Sequence, residues 1–221
     1  MAVSSWNSAL ILGHSYVWRF DRFIRDEGLD TNLGLTNCEV KAYGQGGGKA
    51  SKLSRICDRF LRVSDRKTFD AVCILVGDND VKGPGPNDDE FELCGDIVRT
   101  IMEKAEEVKQ TVGARGVIVC QLMPRFLDPF QPQRYDEKYN EMADTINSLL
   151  HVAIAGRRGY FFWRHPCKKC KQLGSFATRT ESADENTSPQ DFYLPDGVHL
   201  NARGNKMLYK SFQRMLRTLR M

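Results

Sequence analysis

Short apolar runs and longer amphipathic stretches alternate along this chain. Ser8 to Leu12 is a compact apolar run, and Val17 to Arg25 repeats its apolar positions at helical spacing. The alternation continues with Glu39 to Tyr43 and Ser51 to Val63. It resumes with Ala71 to Val76 and, past a loop rich in Gly and Pro, with Glu90 to Val112, where Phe91, Ile97, Ile101 and Val108 recur at roughly helical spacing. Gly116 to Leu122 precedes Asp136 to Val152, and Tyr160 to Trp163 precedes a closing helix over Ala202 to Leu219. The short runs predict strands and the amphipathic stretches predict the helices between them.

Five such β/α units predict a three-layer α/β/α fold with a five-stranded parallel sheet. Parallel neighbours need crossover connections, and the crossovers cover both faces of the sheet. Ligands of such folds bind beyond the carboxyl ends of the strands. Residues 168–190 lack an apolar period and are rich in Ser, Thr, Glu and Asp, which predicts a long, mobile surface insertion in a single domain spanning 1–221.

Composition narrows this only slightly. A chain of 221 residues with 41% hydrophobic content can bury one substantial core, and nothing in it calls for a second. The apolar patch from Ala9 to Leu12 is cut off by Gly13 and His14, too soon for a signal or membrane segment, so a cytoplasmic or nuclear location is expected. Cysteines number seven, and Cys73 and Cys120 fall inside predicted strands, where reduced thiols act as small hydrophobes. A net charge of +4 permits an anionic partner but falls short of the footprint of a dedicated nucleic-acid binder.

The candidate chemistry gathers at four places. Gly13-His14-Ser15 follows the first predicted strand, where a serine either caps the next helix or exposes its hydroxyl at the sheet edge. Gly44-Gln45-Gly46-Gly47-Gly48 follows the second; it lacks the spacing of a phosphate loop, and serves either as a flexible turn or as backbone that approaches a ligand closely. Gly77-Asp78-Asn79-Asp80 follows the third, with Asn79 either closing a local turn or donating its amide to an oxyanion. Before the last helix, Asp196 and His199 stand three residues apart in a loop, a spacing that can fold the carboxylate back onto one imidazole nitrogen while the other faces outward. The ordinary explanations would have to coincide four times at one sheet edge.

On these residues the chain resembles the SGNH hydrolases, also called the GDSL-type esterase and lipase superfamily, over nearly its whole length. Ser15 matches the nucleophile of the family's first block, Gly47 the oxyanion glycine of the second and Asn79 the oxyanion asparagine of the third. Asp196 and His199 match the Asp-x-x-His of the last, and the run from Asp196 to Gly204 is similar to one found in many animal members. The departure is His14, where the first block usually has Asp. The resemblance implies a flavodoxin-like SGNH fold and hydrolysis of carboxylic esters by a Ser-His-Asp triad through an acyl-enzyme. It further implies an oxyanion hole of Ser15, Gly47 and Asn79, a small acyl-ester or acylated-lipid substrate, and no cofactor. Similar domains occur in proteins of some animal retrotransposons beside RNA-binding segments, so a binding or assembly module associated with RNA is the alternative.

Other features point elsewhere without completing a site. His165-Pro166-Cys167-Lys168-Lys169-Cys170 offers a Cys-x-x-Cys, but the His-x-Glu half of a zinc deaminase signature occurs nowhere, and the lysines oppose a divalent cation. No bound metal is expected. His151 falls at the end of a predicted helix and reads as a surface residue. The last helix carries Lys206, Lys210, Arg214 and Arg217 on one face and Leu208, Phe212, Met215 and Leu219 on another, as a solvated basic face over a buried apolar one would.

Overall fold

The structure, a computed structural model, describes residues 6–81, 89–125, 134–165 and 189–219. In chain order the elements are β1 (Ser8–Gly13), α1 (Ser15–Asp26), β2 (Glu39–Gly44), a 3₁₀ turn (Ala50–Lys52) leading into α2 (Leu53–Val63), β3 (Ala71–Leu75) and α3 (Glu90–Val112). β4 (Gly116–Cys120), α4 (Arg134–Ile154), β5 (Tyr160–Trp163), a second 3₁₀ turn (Pro189–Phe192) and α5 (Ala202–Leu219) complete the chain. The strands are all parallel and lie in the order β2-β1-β3-β4-β5, the α/β architecture expected from the sequence. Residues 166–188, with Cys167, Cys170 and most of the expected insertion, lie outside the described residues; Pro189 and Gln190 at its end belong to the second 3₁₀ turn.

Alternation along each strand sorts the core into two layers. Leu10, Leu12, Val72, Ile74, Val117 and Val119 face the side covered by α2, α3 and α4. Ala9, Ile11, Ala71, Cys73, Leu75, Ile118 and Cys120 face the side covered by α1 and α5. Every residue of β1, β3 and β4 is buried, which is why these strands read as unbroken apolar runs. In α5, Leu208, Phe212 and Met215 are buried while Lys206, Lys210, Arg214 and Arg217 are exposed. Among the described residues no helix is long and apolar enough to cross a membrane.

Most elements differ from the sequence reading by one or two residues at an end, and two of the shifts have a clear cause. β4 stops at Cys120 because the amide and carbonyl of Leu122 leave the ladder for the Asn147 side chain, at 2.7 and 3.2 Å. α1 starts at Ser15, two residues early, because the His14 side chain caps it by accepting the Tyr16 amide at 3.4 Å.

The start of α1 rests directly on two strand ends. A Cβ at Gly13 would lie 2.6 Å from the Val17 side chain of α1 and 2.3 Å from the Leu75 carbonyl oxygen of β3, and one at Gly44 would lie 2.3 Å from the Trp18 amide nitrogen of α1. Only glycine permits so close an approach. At the opposite edge of the sheet, Asp70 ties β1, β3 and β4 together. It accepts the amides of Asn7 at 2.8 Å and Ser8 at 3.1 Å, and the Arg115 guanidinium at 2.7 Å. Burial pushes the Asp70 carboxyl up, but these donors outweigh it and hold the group below its ordinary value.

Gly44→Ala should therefore lower stability by ~1–3 kcal/mol in denaturant titrations. Gly46→Ala, whose Cβ would enter open space, should cost much less. Asp70→Asn should cost ~1–3 kcal/mol near neutral pH. Because the folded carboxyl is held low, its contribution is complete above about pH 4 and is lost as pH falls through the folded value, so the difference between the two proteins should shrink in acid.

Candidate active site

Ser15 is the first residue of α1 and sits just past the carboxyl end of β1. The chain arrives through a bond from the His14 amide to the Leu75 carbonyl at 3.3 Å and enters the helix with Trp18 donating to the His14 carbonyl at 3.1 Å. At this position the Ser15 amide lies outside the helix's own hydrogen-bond ladder and points with the positive end of the helix dipole. The strand order reverses direction between β1 and β3, the place where open α/β sheets leave a crevice.

The loop before α5 brings His199 to this serine. His199 Nε2 lies 3.2 Å from Ser15 Oγ, and His199 Nδ1 lies 2.7 Å from Asp196 Oδ2. The other Asp196 oxygen accepts the amides of Val198 at 2.9 Å and His199 at 2.8 Å, so the carboxylate folds its own loop. Burial pushes the Asp196 carboxyl up, but the His199 amide, the His199 ring and the Val198 amide together bring it below its ordinary value. Further bonds hold the loop: Leu194 donates to the His199 carbonyl at 2.7 Å, and the Tyr16 hydroxyl donates to the Val198 carbonyl.

The glycine run and the β3 loop complete the opposite wall. Gln45 donates to the Gly13 carbonyl at 3.0 Å, and Gly48 donates to the Gln45 carbonyl at 3.1 Å across a turn in which Gly47 has φ of 65°. A positive φ at the third position suits glycine and marks a type II turn. Asn79 Nδ2 donates to the Gly48 carbonyl at 2.9 Å, and Asp80 accepts the Ala50 amide at 2.8 Å. All the residues singled out in the sequence, Ser15, Gly47, Asn79, Asp196 and His199, thus meet at one edge. A groove of about 940 Å³ along β2, lined by Trp18, Tyr43 and Phe60, is lined by none of them.

The sequence reading missed the partner of His14. His14 is buried, with Nε2 2.6 Å from Asp78 Oδ2, and Asp78 also receives the Tyr139 hydroxyl at 2.8 Å and the Met123 amide at 3.1 Å. The available signal was a paired anomaly: a histidine where the first block usually has Asp, and an acid at the variable position of Gly-x-Asn-Asp. His165, considered above as a metal ligand, is instead buried against α5, its Nδ1 2.9 Å from Ser211 Oγ and its ring edge-on to Phe212. Burial pushes its pKa down to about 3, so the ring is neutral. Among the described residues no three His, Cys, Asp or Glu side chains gather to hold a metal ion. His151 is exposed in the last turn of α4, with its ring 5.9 Å from that of Phe162.

No match was found among curated proteins. Among solved structures, a carbohydrate acetylesterase from Sinorhizobium meliloti is 17% identical, covering 96% of this chain and 99% of its own, with a TM-score of 0.60. An inhibitor-bound aryl esterase from M. smegmatis is 18% identical over 96% of this chain and 99% of its own, with a TM-score of 0.59. A member of the lipolytic G-D-S-L family from Veillonella parvula is 12% identical over 94% and 96%, with a TM-score of 0.57. At these identities the likeness is one of fold, and these bacterial structures do not narrow the chain to an animal or retrotransposon type. The family model of the GDSL-like lipases and acylhydrolases matches residues 18–212, beginning three residues after Ser15. Fold, strand-end chemistry and this match together make the chain a member of the GDSL-like lipase/acylhydrolase family.

Proposed function

We propose that the protein is a carboxylic ester hydrolase with Ser15 as nucleophile, His199 as general base and acid, and Asp196 as its orienting carboxylate. The observation that carries this reading is the continuous line from Asp196 Oδ2 through His199 to Ser15 Oγ, at 2.7 and 3.2 Å. His199 Nε2 takes the hydroxyl proton as Ser15 Oγ bonds to the acyl carbon. The imidazolium then gives that proton to the departing alkoxide, leaving an acyl-serine. Water attacks the acyl carbon in the same way and releases the acid, restoring Ser15. The amides of Ser15 and Gly47 and the Asn79 side chain bind the oxyanion in both halves.

The substrates proposed are small acyl esters or acylated lipids, in keeping with the acetylesterase and aryl esterase that share the fold. The exposed basic face of α5, with Lys206, Lys210, Arg214 and Arg217, favours a second reading in which the domain chiefly binds an anionic partner such as RNA.

The purified chain should hydrolyse p-nitrophenyl acetate and react with a fluorophosphonate probe, and Ser15→Ala should do neither. Equal turnover by both proteins would overturn the assignment. Asn79→Ala should lower kcat by ~10²–10³-fold with KM little changed, because its amide is proposed to bind the oxyanion mainly in the transition state. A change confined to KM would make Asn79 a substrate-binding residue instead.

A further inference from the structure

The buried pair beside the proposed nucleophile has a definite proton arrangement. Asp78 Oδ1 is occupied by two donors, the Tyr139 hydroxyl and the Met123 amide, and Oδ2 faces His14 Nε2 at 2.6 Å. His14 and Asp78 are 1% and 3% exposed, so water does not compete for this contact. On the far side of the ring, His14 Nδ1 meets the Tyr16 amide at 3.4 Å and the Ser15 hydroxyl at 3.5 Å. An N–H can only donate, so Nδ1 must accept, and the ring proton belongs on Nε2, toward the carboxylate. Aspartate at the same place would cap the helix without assistance; histidine does so only while its proton is kept on the other nitrogen.

We propose that His14 and Asp78 form a positioning pair for the nucleophile: Asp78 fixes the Nε2–H tautomer of His14, whose Nδ1 then caps α1 and offers the Ser15 hydroxyl a second acceptor opposite His199. This rests on the esterase reading above. Ser15 Oγ accordingly lies between two imidazoles, 3.2 Å from His199 and 3.5 Å from His14, each backed by a carboxylate. Tyr16 spans the two sides. Its ring lies 5.2 Å from that of His14 and 6.2 Å from that of His199, and its hydroxyl holds the Val198 carbonyl. One helical turn therefore sets the hydroxyl and the loop bearing its base together. The buried carboxyl also fits this role: burial pushes it up, but His14, Tyr139 and Arg125 hold it below its ordinary value, in its accepting form.

Asp78→Asn tests the pair. Tyr139 and Met123 keep the amide oxygen of Asn on their side, so its NH₂ faces His14 Nε2 and drives the ring proton to Nδ1. The kcat for p-nitrophenyl acetate should fall ~10-fold or more with KM little changed, as follows from holding an imidazole in the wrong tautomer beside the nucleophile. Adding His14→Asn, whose side-chain oxygen caps without a partner, should recover part of that loss. Nitrogen NMR of the imidazoles should find Nδ1 of His14 unprotonated in the native chain and protonated in Asp78→Asn. A protonated Nδ1 in the native chain, or an unchanged kcat in Asp78→Asn with the tautomer switched, would overturn the proposal. The NMR reading does not depend on turnover, so an inactive native chain with the expected tautomer would overturn the esterase reading alone.

Discussion

The contact of α1 with the ends of β1 and β2 is the constraint on which the rest of this site depends. At Gly44 the backbone of β2 meets that of α1, and at Gly13 β1 meets the Val17 side chain of α1 and the Leu75 backbone of β3, with no room for a side chain at either, so the helix is held where Ser15 rises over the sheet edge. Strand order supplies the opening. The chain leaving β1 turns onto the face shared with α5, while the chain leaving β3 turns onto the face of α2 and α4, so the two connections part above adjacent strands. The glycine run and Asn79 line that gap from one side and His199 reaches into it from the other.

Two carboxylates shape the site, and their surroundings give them different work. The Asp196 side chain is 45% exposed and spends its hydrogen bonds on its own loop, so it chiefly orients His199. Asp78 is buried, where an uncompensated carboxylate is strongly destabilising. Donors from the N-cap of α1, the segment after β4 and α4 converge on it. The same convergence that keeps the charge tolerable fastens three elements around the proposed nucleophile.

Much of the architecture was legible because its signals are local. Five apolar runs alternate with five amphipathic stretches, and that period reports burial on each element whatever lies next to it. Cys73 and Cys120 read as core thiols and are wholly buried. The glycine run and the Asp196-to-His199 spacing marked the candidate site for the same reason, since a turn or a short loop is determined within a few residues. Where local cues misled or were silent, a distant partner decided: Asn147 ended β4 early from 25 residues away, and Ser211 holds His165 from 46.

By itself, then, the sequence determined the order and type of the elements, the burial of the central strands, and the residue types gathered at their carboxyl ends. Tertiary structure alone decided which groups meet. His14 and Asp78 are 64 residues apart and Tyr16 and Val198 are 182 apart, and each pair forms only because the crossovers return their strands and loops to one edge. A hydrogen bond depends on ångström distances between atoms, whereas hydrophobic periodicity specifies only which face of an element is covered. The first can be known only once the sheet has set which ends stand side by side.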